Sequence, residues 1–203
     1  MKPDNKFFSF MSTLGDLILL NVLFLITSIP IVTIGVSLTA LYSSVKKRIR
    51  GHESYAARDY FLAWKENLKN GLIIWCVLLP FILAMIPFTI YIAGNLRNLP
   101  ALCAYFLCFL ILLFILTYAF PLQATFINKP LRIVLNSLLT ALSHLPYTLA
   151  VIFITSIPVC LTLYFPRAFY FTCAYWLLLG FSLSTVVSVL LTGKVLKHYI
   201  PEK

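Results

Sequence analysis

Five long stretches of this chain carry no Asp, Glu, Lys or Arg: residues 17–45, 70–96, 98–128, 133–166 and 168–193. A bilayer core of about 30 Å takes roughly 20 helical residues, so each stretch holds one crossing and none holds two with a turn. Water is absent at that depth, and only α-helices or closed barrels satisfy every backbone N–H and C=O there. The hydrophobic fraction of 61%, the charged fraction of 11% and the mean hydropathy of +0.96 fit a chain solvated by lipid. The expectation is an all-α, polytopic transmembrane helical bundle forming one domain over residues 1–203. About five spans are expected, near 17–43, 71–94, 99–127, 140–165 and 168–192, with a cytoplasmic loop at 44–70. Lys2 and Lys6 precede the first stretch, but its uncharged run is longer than a signal-peptide core and no clear small-residue cleavage site follows. It is read as a retained helix.

Basic residues set the expected orientation. The first loop carries Lys46, Lys47, Arg48, Arg50, Arg58, Lys65 and Lys69, the third Lys129 and Arg132, and the tail Lys194, Lys197 and Lys203. These twelve lie on one side, against Lys2, Lys6, Arg97 and Arg167 on the other, which places the C-terminus in the cytoplasm. Pro30 near the middle of the first stretch leaves two paths open. A single proline-kinked helix needs less, because non-helical backbone at membrane depth must be buried against protein. A dipping hairpin would return the N-terminus to the cytoplasm and sharpen the bias to fourteen against two. The net charge of +10 is concentrated at the ends of apolar segments, where it meets lipid headgroups, and no nucleic-acid partner is expected.

The first loop contains an amphipathic helix over 54–70. Ser54 stands at its N-cap position, Phe61, Trp64 and Leu68 form an apolar stripe, and Lys65, Glu66 and Lys69 form a polar face. Such a helix lies on the membrane, packs on its own bundle, or docks a partner, for which Phe61, Trp64, Lys65, Asn67 and Leu68 are the candidate residues. Within the spans, Gly180, Ser184, Ser188 and Thr192 recur every four residues, as do Gly35, Thr39 and Ser43, the small-residue spacing of close helix packing. The pentapeptide I-T-S-I-P occurs at 26–30 and 154–158, and 70–84 aligns with 136–150, but the two offsets disagree and no inverted repeat follows.

Chemistry is sparse. Charged groups inside spans usually mark pumps and carriers, and here only His144 stands near a boundary and Asp16 at an entrance. Walker A, H-E-x-x-H and G-x-S-x-G motifs are absent, and the three histidines have no ligand-spaced neighbours. The five cysteines are read as small buried hydrophobes. No catalytic, cofactor or metal residue is expected, and the chain is not read as an enzyme. Convergence of any two of Asp16, His144 and Asn136 in one cavity would count against that. Uncharged polar residues, Asn21, Thr27, Ser28, Thr33, Gln123, Asn136 and Ser137, serve interhelical hydrogen bonds or line a polar path.

Asn21, the run Pro30-Ile31-Val32-Thr33-Ile34-Gly35, the segment Thr39-Ala40-Leu41-Tyr42, and then Phe61, Trp64-Lys65 and Asn67 resemble the YesL-like family of bacterial membrane proteins, a domain-of-unknown-function family. The motifs cover about residues 7–75; Phe24 stands where the family pattern has tryptophan, and the C-terminal half matches no motif. The resemblance implies a structural motif of Asn21, Pro30, Thr33 and Gly35, with no catalytic residues. It also implies a multi-pass protein of the bacterial inner membrane that assists or regulates a carbohydrate ABC transporter through its permease or ATPase subunits. The rival expectation is a small uncoupled transporter or channel for a polar solute.

Overall fold

The structure is a computed structural model that describes residues 5–51, 55–95, 97–126, 128–164 and 169–197. Lys2, His52, Ser54, Arg167, His198 and Lys203 lie outside them. Among the described residues the fold is all α: α1 (Asn5–Thr27), α2 (Ile34–Ile49), α3 (Ala56–Gly94), α4 (Leu99–Gln123), α5 (Pro130–Ser143), α6 (Leu145–Tyr164), α7 (Phe169–Tyr175) and α8 (Phe181–Lys197). A 3-10 turn (Ile31–Thr33) precedes α2, and a π-helical turn (Trp176–Gly180) joins α7 to α8.

Among the described residues four helices are long and apolar enough to cross a membrane: Ala56–Gly94, Leu99–Gln123, Leu145–Tyr164 and Tyr170–Leu196. Their surfaces agree with that role, since Phe81, Ile90, Phe106, Phe153 and Leu163 are all exposed. An outward apolar surface of this extent needs lipid. Cys76, Cys103, Cys108 and Cys160 are also exposed, so these thiols sit on the outer helix faces and not in the core that the sequence suggested.

The first apolar stretch is not a fifth straight span. Thr27 bonds Ser37 at 2.9 Å and Asp16 pairs with Arg48, so α1 and α2 run side by side in opposite directions. Pro30 is held in extended conformation (φ −73°, ψ 114°) and breaks the helix. Non-helical backbone at a hairpin tip needs partners, and side chains supply them. The Thr33 hydroxyl donates to the Thr27 and Pro30 carbonyls, each at 2.7 Å, and the Trp75 indole N–H donates to the Ile31 carbonyl at 2.7 Å. The most exposed side chains of the tip are apolar, Ile29 at 77% and Ile31 at 63% among them, while the half-buried Ser28 hydroxyl has no hydrogen-bond partner.

The first-loop helix and the second span are one element. α3 runs unbroken for 39 residues, close to 60 Å at about 1.5 Å per residue, well beyond a bilayer core. α2 crosses it where two glycines meet. A Cβ on Gly35 would stand 2.7 Å from the Trp75 Cβ and 3.1 Å from the Gly71 carbonyl oxygen, and one on Gly71 would stand 3.1 Å from the Val36 Cα. Close approach of the two backbones requires both positions to lack a side chain.

The fourth stretch is divided at His144, whose φ of −125° and ψ of 48° leave the helix just before Pro146. The Thr148 hydroxyl stitches the break by donating to the Ala141 and His144 carbonyls at 2.9 and 3.0 Å. Buried residues form two neighbouring cores. One gathers Trp75, Phe114, Tyr118 and Phe120. The other gathers Leu20, Phe24, Leu41 and Tyr60 around the hairpin.

Candidate functional site

The Asn21 side chain is buried between α1 and the π turn. Its amide nitrogen donates to the Trp176 and Leu177 carbonyls at 3.0 and 2.8 Å. Its oxygen accepts from the Phe181 and Ser182 N–H groups, both at 3.0 Å. A π turn shifts the α-helical ladder and leaves such groups without their usual partners, and one primary amide has the two donors and two acceptor sites to meet all four. The Phe24 ring lies 4.9 Å from Phe181, and the Trp176 indole donates to Thr162 of α6 at 3.0 Å. Asn21 thereby fastens the hairpin to the last span.

The small-residue stripe of that span divides in use. Gly180 is buried beneath the Trp176 ring, and a Cβ there would stand 2.5 Å from it. Ser184 and Thr192 donate to carbonyls four residues back, and the Thr192 hydroxyl also meets the Tyr42 hydroxyl at 2.8 Å. Ser188 borders a central cavity.

On α3 the buried face is Ala56, Tyr60, Ala63, Gly71 and Ile74. Tyr60 reaches the hairpin, where its hydroxyl meets that of Thr27 at 2.6 Å. The 54–70 helix thus packs on its own bundle through a face adjacent to the one that the apolar spacing indicated. Phe61 remains exposed, with Leu62 beside it and Lys65 following. Trp64 and Leu68 are half-buried. The Trp64 indole N–H is buried without a hydrogen-bond partner. Asn67 turns inward, donating to the Ala63 carbonyl and accepting from Gln123 at 3.0 Å. Leu62, which the stripe omitted, is an exposed apolar side chain next to Phe61.

Residues 17–92 match a family whose description is "Protein of unknown function, DUF624". YesL-like proteins belong to it. Residues 17–92 are similar to that family. No curated protein and no solved structure matches the chain. The DUF624 segment takes in the second half of α1, all of α2 and nearly all of α3, so it holds Asn21, Pro30, Thr33, Gly35, Trp64, Lys65, Asn67 and Leu68 together. Its motif residues shape the hairpin and fasten it to α3 and α8.

The DUF624 segment also supplies the basic end of the molecule. Lys47 pairs with Asp59 at 3.1 Å, and Lys46 donates to the Thr125 hydroxyl at 2.9 Å. Burial, followed by repulsion from Arg50, lowers the Lys46 amine from 10.5 to about 8. Between those two values the unfolded chain holds the proton that the folded chain releases, so stability rises with pH through that window. Unfolding temperatures in detergent at pH 7.5 and 9.5 should increase for the parent protein, and Lys46→Met should remove most of that increment. An identical pH response in both would rule out Lys46 as its source.

Two arrangements bear on chemistry. A cavity of about 380 Å³ lies at the bundle centre among α2, α3, α4, α6 and α8. The hydroxyls of Thr117, Thr155 and Thr185 on its wall donate to carbonyls of their own helices, so they offer it acceptors. Asp16 is engaged by Arg48, whereas Asn136 borders a separate space between α4 and α5. Thr27, Thr33, Gln123 and Ser137 are likewise engaged in hydrogen bonds at separate places. Among the described residues no three His, Cys, Asp or Glu side chains cluster as metal ligands.

Proposed function

We propose that this protein is an accessory or regulatory component of a carbohydrate ABC transporter in a bacterial inner membrane, with the basic end and the C-terminus in the cytoplasm. The observation that carries this reading is the α3 extension. Residues 56–70 continue a membrane span by about 20 Å as the same rigid helix. Phe61 and Leu62, 44% and 45% exposed, stand beside the exposed charges of Arg58 and Lys65. An apolar pair rimmed by charge is the composition of a docking surface, and its attachment to the span would transmit partner movement into the bundle.

Affinity purification of the full chain in mild detergent should capture a permease or ATPase subunit. Phe61→Ala with Leu62→Ala should reduce that capture about tenfold, the effect of losing an apolar anchor worth roughly 1–2 kcal/mol, and should alter sugar uptake. Both side chains are exposed, so the bundle should remain folded. Absence of any transporter subunit, together with unchanged uptake, would refute the reading.

The central cavity supports a second reading, a small uncoupled transporter for a polar solute. Purified protein alone in liposomes would then move a sugar or polyol down its gradient. A panel with no flux would remove this reading.

A further inference from the structure

Where α4 gives way to α5, a second cavity of about 320 Å³ opens, near the lower end of the range of roughly 300–1,000 Å³ typical of ligand pockets. Leu122, Phe126 and Ile133 give it an apolar floor, and Asn128, Asn136 and Thr140 border it with polar groups. Thr140 is only 8% exposed. Thr117, Thr125 and Thr155 each donate to the carbonyl four residues back, whereas the Thr140 hydroxyl makes no hydrogen bond among the described residues. Its oxygen is not sealed inside the protein, so the cavity that it borders is where a hydrogen-bond partner can meet it. The exposed amides of Asn128 and Asn136 are also unengaged among the described residues.

Two further features characterise the occupant. Leu139 borders the cavity and also belongs to an exposed line, Leu131, Leu135, Leu139 and Leu142, spaced four, four and three along one face of α5. At 14 residues α5 is too short to span by itself, so this line is a lipid-facing strip that begins at a membrane boundary. Lys129 and Arg132, both exposed, stand at the start of the same helix. The cavity thus combines hydrogen-bond donors, neighbouring cations and an apolar strip leading away from it.

We propose that this cavity is a specific site for an anionic phospholipid. The Asn128 and Asn136 amides and the Thr140 hydroxyl donate to phosphate and ester oxygens, Lys129 and Arg132 attract the headgroup charge, and an acyl chain follows the leucine line. A soluble phosphate ester would leave that line unused.

Native mass spectrometry of the full chain in mild detergent, titrated separately with dioleoyl phosphatidylglycerol, dioleoyl phosphatidylcholine and monoglucosyl diacylglycerol, tests the assignment. The parent protein should retain phosphatidylglycerol about tenfold better than either other lipid, as one to two hydrogen bonds to a charged group would give. Asn136→Leu with Thr140→Val should bring phosphatidylglycerol down to the phosphatidylcholine level, and Thr140→Ser should preserve the preference. Should the double variant fail to fold, Asn136→Asp at its exposed position provides the same readout, losing phosphatidylglycerol through charge repulsion while phosphatidylcholine retention is unchanged. Equal retention of the three lipids, a preference untouched by the substitutions, or displacement of bound lipid by soluble glycerol phosphate would each overturn the proposal.

Discussion

Asn21→Ala should lower stability by about 1–3 kcal/mol, enough to make the detergent-solubilised protein unfold several degrees earlier. The amide meets four backbone groups of the π turn, and in a space without water they can turn only to one another when it is removed. Leu177 and Phe181 stand four apart, so their carbonyl and N–H can re-form an α-helical bond when the amide is gone. The Trp176 carbonyl and Phe181 N–H, and the Leu177 carbonyl and Ser182 N–H, also stand five apart, the π-helical spacing, so the turn recovers part of the loss and about 1–3 kcal/mol remains. Asn21→Asp separates hydrogen bonding from size. It keeps an acceptor for the two N–H groups but turns a carboxylate toward two carbonyls at a fully buried position. Stability of that variant should be poor at neutral pH and should recover in acid, where the protonated carboxyl donates once. Thermal unfolding across pH checks both, and an aspartate variant as stable as the parent at pH 7 would contradict the hydrogen-bond assignment.

Gly35→Ala should cost about 2–3 kcal/mol through overpacking at the α2–α3 crossing. The added methyl would stand 2.7 Å from the Trp75 Cβ and 3.1 Å from the Gly71 carbonyl oxygen. Both obstacles are close to backbone and cannot swing aside, so the helices must separate. Separation stretches the Trp75 bond to the Ile31 carbonyl, and the hairpin tip then loses one of its few partners. Gly193→Ala supplies the contrast. Nothing lies within 4 Å of a Cβ at that helical position, so it should gain about 0.5–1 kcal/mol from helix propensity. Comparable losses at the two glycines in a thermal-shift measurement would show that the crossing is not the reason. Gly71→Ala meets Val36 at the same crossing, so its effect should not add to that of Gly35→Ala.

Some of these features were legible in the sequence. Charge-free length alone gave the helical class and the membrane as solvent, because a chain of this hydropathy has no other stable environment and must satisfy its backbone internally. The motif residues were legible as a set, and Gly35 as a packing position, since spacing of small residues records close approach. The residues that Asn21 and Gly35 meet were not. Trp176, Leu177, Phe181 and Ser182 are more than 150 positions from Asn21, and no local pattern announces a π turn. The α3 extension was legible as an amphipathic helix, but a three- and four-residue spacing cannot tell which of two adjacent faces turns inward when both carry aromatic residues.

Pro30 marks the same boundary between the two kinds of information. The sequence by itself marked Pro30 as a weak point, because proline lacks an N–H and crowds the preceding turn, but Pro80 and Pro87 carry the same handicap inside the unbroken α3. Whether the chain then bent or reversed depended on the cost of the backbone groups released. That cost was decided by tertiary structure, where Thr33 and Trp75 are brought to the Thr27, Pro30 and Ile31 carbonyls and make the reversal stable.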